Sequence, residues 1–211
     1  MINEKKQKLI CIGGGGHCKS VIDAALRMQA FSEIVITDQS IPKGREICGC
    51  RVAGDDSILP LLCEDGFRSA IITIGSIQET VLRRRLYDET RKMGMQFATI
   101  IDPAAAVSEY SSVGEGVFIG KGAVVNAGAM IGNHAIINTK AIVEHDCSIG
   151  DFTHIAVGAV ICGGVKIGED VLVGANATVI QETKVGSHSI IGAGSTVLHD
   201  VVEKQRIIGI W

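Results

Sequence analysis

The chain has 211 residues; aromatics are 4%, glycines number 26 and the formal net charge is −3. The weak negative charge gives no reason to expect nucleic acid or an acidic membrane surface as a partner. Seven cysteines, an odd number, argue against a disulfide framework and read as reduced thiols. The opening Met1-Ile2-Asn3-Glu4-Lys5-Lys6 is a polar lead rather than a secretory leader, and no apolar run is long enough to span a bilayer, so the cytoplasm is the expected compartment.

In chain order, Lys8-Leu9-Ile10-Cys11-Ile12 reads as a buried strand that breaks at Gly13-Gly14-Gly15-Gly16-His17. Helical spacing resumes from Lys19 to Ala30, and Ile34-Val35-Ile36-Thr37 is a second strand ending at Asp38. Asp55-Asp56-Ser57 caps a short helix through Leu62, Ala70 to Ile74 is a third strand ending at Gly75, and Thr80 to Met93 is a charged amphipathic helix. Its Arg83-Arg84-Arg85 run reads as a solvated face. Phe97 to Ile100 is a fourth strand. This order predicts a small Rossmann-like α/β domain with a parallel sheet over residues 1–100.

The glycine loop is that domain's one chemical feature. A strand, glycines and a helix N-terminus place backbone N–H groups around an anion. The dinucleotide fingerprint needs glycines at places one, three and six, and place six counted from Gly13 is Cys18, so NAD is not the expected ligand. A nucleotide-linked or phosphorylated ligand and a plain tight turn are the two readings.

From Ile101 onward the chain repeats in sixes. An Ile or Val opens each unit from Ile101 through Val107, Val113 and Ile119 to Val197, and the fifth place is small, as in Ala123, Ala141, Cys147 and Thr153. Glycine most often fills the second place, where it is expected to help the backbone round a corner at positive φ. A six-residue period fits neither a helix nor an alternating strand and predicts a parallel β-helix over 101–211, three short sides to a coil. His134, His145, His154, His188 and His199 all fall outside the opening place, which for most of them predicts solvation. His145 differs, because it sits in Glu144-His145-Asp146. A carboxylate on one ring nitrogen raises the basicity of the other. Either Glu144 or Asp146 can fill that role, with Asn138 and His154 as other polar candidates. Half a coil separates His145 from His154, so they are expected on different faces and can share a site only across a subunit interface.

These motifs carry a resemblance. Ile12-Gly13-Gly14-Gly15-Gly16-His17, Ile74-Gly75, Ile137-Asn138-Thr139 and Glu144-His145-Asp146-Cys147 with the following Ser148 to His154 resemble the sugar acetyltransferases that join a nucleotide-sugar-binding domain to a left-handed parallel β-helix of hexapeptide repeats. These include the sialic acid O-acetyltransferase-like proteins and the UDP-amino-sugar N-acetyltransferases of bacillosamine-type pathways. The resemblance implies a homotrimer using acetyl-CoA, with no metal and with sites between subunits. It implies His145 as general base, Asp146 as its carboxylate and Asn138 as an active-site amide. Gly15, Gly16, His17, Asp38, Gln39 and Gly75 would hold the sugar nucleotide, and His154, Ala175 and Ala193 acetyl-CoA. The expected acceptor is a UDP-linked 4-amino-4,6-dideoxy sugar; alternatives are O-acetylation of sialic acid or CMP-sialate, a GDP-amino sugar, a zinc hydratase, or a non-catalytic sugar-nucleotide sensor. The chain departs from the family in having Asp146 where Glu is common and in ending Arg206-Ile207-Ile208-Gly209-Ile210-Trp211, without a Pro-Ala-Lys-like tail.

Overall fold

A computed structural model describes residues 6–75 and 80–211; the first five residues of the polar lead lie outside them. Contacts divide the chain into two units, one of residues 6–75 and 81–100, the other of Thr80 with 101–211.

In the first unit, β1 (Gln7–Ile12), β2 (Phe31–Thr37), β3 (Glu46–Ile47), β4 (Cys50–Gly54), β5 (Ser69–Ile72) and β6 (Gln96–Phe97) form one sheet of order β3-β4-β2-β1-β5-β6. All pairs are parallel except β3 with β4, a hairpin that the sequence reading missed. Its turn is Cys48-Gly49, both at positive φ, so the Cys48/Cys50 spacing reflects hairpin geometry. Helix α1 (Gly16–Met28) begins directly on the glycine loop, three residues before the expected start, and ends where Gln29 turns left-handed at φ 55°. Asp55 accepts from Ser57 N at 3.0 Å and opens the turn leading to α2 (Leu59–Glu64). In α3 (Val81–Lys92), Arg83 joins Leu86 and Thr90 on the buried stripe and is 2% exposed, so the arginine run is not a uniformly solvated face. Ile10, Ile12, Val35, Ala70 and Ile72 pack with Leu59, Leu62 and Leu86 on one side of the sheet.

The second unit is the left-handed parallel β-helix. Each hexad contributes a two-residue strand, and every third strand pairs in parallel, as Val125 with Val143 and Ile137 with Ile155. The strands form three sheets. One face carries Phe118–Ile119, Ile136–Ile137, His154–Ile155, Leu172–Val173 and Ile190–Ile191. The second carries Val124–Val125, Ile142–Val143, Val160–Ile161 and Thr178–Val179, and the third Met130–Ile131, Ser148–Ile149, Lys166–Ile167 and Lys184–Val185. The openers from Ile119 to Val197 are buried, and with the fifth-place residues they make one continuous apolar column. Where the fifth place is polar it bonds to the neighbouring coil: Thr153 Oγ1 donates to Gly168 O at 2.7 Å and accepts from Val171 N at 3.0 Å.

The corner chemistry differs from the expectation. Positive φ recurs at the fourth place of the hexad, from Gly116, Gly122 and Gly128 through His134, Lys140, Asp146 and Phe152 to His188 and Gly194. Second-place glycines have no positive φ; they are required because coils stack closely there. A Cβ on Gly150 would lie 2.4 Å from the backbone carbon of Gly168, and one on Gly174 would lie 2.5 Å from Ala193 N. The register also shifts at the last predicted unit. Val201, expected at a fifth place, bridges to the opener Val185, and Arg206–Ile207 then pairs with Ile190–Ile191. Val201 and Ile207 therefore act as two further openers, with two residues dropped between the coils.

Candidate active site

His145 and Asp146 occupy the corner between Ile142–Val143 and Ser148–Ile149. Asp146 holds the left-handed fourth place at φ 61°, and the reversal there brings its Oδ2 to 2.9 Å from His145 Nδ1. Both side chains are largely exposed, at 65% and 73%. Glu144 is occupied otherwise: its Oε2 accepts from Asn126 Nδ2 at 2.9 Å and from His145 N at 3.3 Å. The choice of carboxylate left open by the sequence therefore falls, in this structure, on Asp146.

Two glycines from the neighbouring coils frame this pair. A Cβ on Gly128 would meet Asp146 Oδ1 at 2.5 Å, and a Cβ on Gly163 would meet His145 Nε2 at 2.6 Å. The carboxylate and the ring each lie where only a glycine leaves room. The bond from Asp146 raises the imidazole pKa above its ordinary value; desolvation opposes the rise, and the charges of Asp146, Glu144 and Glu182 add to it. Cys147, next in the chain, is fully buried, and burial pushes its thiol pKa up.

Asn138 and His154 meet elsewhere. Both belong to the first face, with Asn138 Nδ2 3.1 Å from His154 Nε2 and Asn138 Oδ1 accepting from Thr139 N at 2.8 Å. Ala175 and Ala193 follow strands of that same face, and Gly194 N donates to Ala175 O at 2.8 Å. The residues expected to contact acetyl-CoA thus share one face with Asn138, whereas His145 and Asp146 sit at the next corner. Place in the hexad did not predict exposure: His154 is 8% exposed, and His134 is 1% exposed and stacked on Phe152 at 4.8 Å. A cluster not anticipated from sequence gathers Glu169, Asp170 and His188 within 4.8 Å of one another, and Thr80 Oγ1 donates to Asp170.

In the first unit a cleft of about 280 Å³ opens at the carboxyl ends of β1 and β2, where open α/β sheets bind ligands. Ile12, Gly13, Asp38, Gln39 and Ser40 line one part; Ile74, Leu82 and Leu86 line an apolar part. Gly13 has φ 104°, and a Cβ there would lie 2.5 Å from Ile74 Cγ1. Asp38 Oδ2 accepts from Gly14 N at 2.7 Å, while Oδ1 accepts from Ser40 N at 2.8 Å, Ser40 Oγ at 2.7 Å and Ile41 N at 3.1 Å. Partial burial alone would raise this carboxyl, but the donors from Gly14, Ser40 and Ile41 outweigh it and hold its pKa below the ordinary value. Gly15 and Gly16 have open space around them at the N-terminus of α1, and His17 lies beside Gly75, whose Cβ would be 3.9 Å from His17 Cβ. Asp56 and Thr37, absent from the sequence-based set, also line the cleft.

Residues 8–90 match the PglD N-terminal domain, residues 111–139 the hexapeptide repeat of succinyl-transferase, and residues 146–181 and 164–199 the bacterial transferase hexapeptide. The acetyltransferase domain of PglB from Neisseria gonorrhoeae FA1090, in complex with acetyl coenzyme A, is 32% identical over 96% of each chain, with a TM-score of 0.89. A mutant of GDP-perosamine N-acetyl transferase from Caulobacter crescentus, in complex with CoA and GDP-perosamine, is 36% identical over 93% of this chain and 91% of that one, with a TM-score of 0.86. A search of curated proteins finds no match. The β-helix and its similarities define an acetyltransferase that uses acetyl-CoA as co-substrate. The chain belongs to the sugar acetyltransferases in which a PglD N-terminal domain precedes hexapeptide repeats.

Proposed function

We propose that this enzyme transfers an acetyl group from acetyl-CoA to the amine of a nucleotide-linked amino sugar, with His145 as general base. The observation that carries the assignment is the 2.9 Å contact between His145 Nδ1 and Asp146 Oδ2, which commits Nδ1 and leaves Nε2 as the proton acceptor. The acceptor nitrogen attacks the thioester carbonyl and gives its proton to Nε2. The carbon–sulfur bond then breaks, and the CoA sulfur leaves with a proton as the free thiol. No acyl-enzyme is required, consistent with a buried Cys147. The glycine loop at the N-terminus of α1 takes the nucleotide phosphates. His154, Ala175 and Ala193 contact acetyl-CoA, and copies assemble as trimers so that the first face of one solenoid adjoins the His145 corner of another. The separation of these two groups within one chain supports that assembly.

Amine transfer is preferred over transfer to a sialic acid hydroxyl because of the 36% identity to a GDP-perosamine N-acetyl transferase. Thiol release from acetyl-CoA is the test, with UDP- and GDP-linked 4-amino-4,6-dideoxy sugars and free and CMP-linked sialic acid as acceptors. Release with an amino sugar supports the reading; release only with a sialic acid refutes it in favour of O-transfer.

A further inference from the structure

Two carboxylates line the cleft of the first unit, and they are differently engaged. Asp38 accepts from Gly14 N, Ser40 N, Ser40 Oγ and Ile41 N, about as many donors as a carboxylate can take. It is a clamp between the glycine loop and the residues after β2, with little capacity left for a ligand. Among the described residues Asp56 is held by the Thr37 hydroxyl alone, 2.7 Å from Oδ1, and its Oδ2 has no bond. Thr37 is fully buried, so this single bond fixes the carboxylate without using up its acceptors.

Asp56 also lies at a useful distance from the glycine loop. It follows β4, which pairs with β2, which pairs with β1. Two strand spacings place it roughly 10 Å from the end of β1. With phosphates at the N-terminus of α1, the nucleobase rather than the sugar of the nucleoside reaches β4. Across the cleft, Ile74, Leu82 and Leu86 supply an apolar wall for a flat ring, and among the described residues no cation lines the cleft.

We propose that Asp56 reads the edge of the nucleobase and selects guanine, so that the acceptor is a GDP-linked sugar. This rests on the nucleotide-sugar reading above and replaces the uridine expected from the sequence. Guanine presents N1–H and the 2-amino group side by side, two donors that match the two oxygens of a carboxylate. Uracil presents N3–H between two carbonyl oxygens, which a carboxylate repels. Cytosine and adenine place an acceptor beside their amino group.

The test is equilibrium binding of GDP and UDP to the full chain, by calorimetry, for the wild type and for Asp56→Asn and Asp56→Ala. Asp56→Asn keeps an oxygen for Thr37, so folding is checked by an unchanged melting temperature. GDP is expected to bind at least tenfold more tightly than UDP, with the preference lost in Asp56→Asn through weaker GDP binding. UDP binding as tightly as GDP overturns the proposal, as does an equal loss of both nucleotides in the variants, which would place Asp56 on the ribose. Thiol release with a UDP-linked amino sugar and none with its GDP counterpart would overturn guanine selection while leaving acetyl transfer intact. Failure to bind either nucleotide, with thiol release from acetyl-CoA only when a sialic acid is the acceptor, would overturn the proposal together with the acceptor reading beneath it.

Discussion

Gly163→Ala isolates the placement of the imidazole from its chemistry. Gly163 has no positive φ, so alanine is allowed there, and a Gly→Ala change at a compatible site stabilises a fold by about 0.4–1 kcal/mol. The new methyl would lie 2.6 Å from His145 Nε2 and 2.7 Å from Cε1, where ordinary contact needs 3.4–4 Å. The ring is the exposed partner and gives way, by about 1 Å, which is the arithmetic gap between 2.6 Å and the middle of that contact range. A displacement of about 1 Å at a reacting group costs on the order of a hundredfold in rate, or about 2.7 kcal/mol of barrier. Thiol release from acetyl-CoA at saturating acceptor should therefore fall by about that factor while the melting temperature holds or rises. A kcat within twofold of the wild type would refute the idea that the Gly163 face fixes the base.

His145→Ala should abolish transfer and leave the solenoid folded, by circular dichroism; undiminished turnover would remove His145 from the mechanism. Asp146→Asn withdraws the group that raises the His145 pKa, so the acid limb of the kcat/KM profile, where the base becomes protonated, should move to lower pH as the plateau rate falls. An unmoved limb would mean that Asp146 does not set the basicity. Thr153→Val deprives Gly168 O and Val171 N of their partner inside the core and should cost about 1–3 kcal/mol in urea unfolding, with a wild-type midpoint counting against the bridge. Gly150→Ala, which meets backbone, should destabilise by about 1–3 kcal/mol, whereas Gly122→Asn, at φ 67° with its nearest neighbour 3.6 Å from a Cβ, should be close to neutral; equal effects would contradict the two roles assigned to glycine.

What the sequence showed well was what the backbone period determines. Openers such as Ile137, Val143 and Ile161 are buried because every third hexad stacks on its like, so a one-dimensional repeat contains the three-dimensional contact. Less legible were features set by neighbours one coil away. Gly150 and Gly158 look alike in sequence, yet the first avoids the backbone of Gly168 while the second supplies a left-handed turn. His134 is buried because Phe152 lies next to it in the following coil. The Glu46–Gly54 hairpin was announced by Cys48-Gly49 but obscured by the cysteine spacing. In the site, His145 was apparent from its flanking carboxylates, and choosing between them needed Asn126, one coil earlier, to engage Glu144. Asp56 had no motif to mark it; only the sheet order brings it beside Thr37.

The left-handed fourth place has a consequence for how such an enzyme can change. Its φ stays between 55° and 75° whether the residue is glycine, histidine, lysine, aspartate, phenylalanine or asparagine, from Gly116 to Gly194. The frame therefore accepts different side chains at the same address without being redrawn. Asp146 is one occupant of a rail that elsewhere carries Phe152, Asp170 and Asn176. New chemistry can be tried at a corner by exchanging one residue, and each trial leaves the column of Ile and Val beneath it undisturbed.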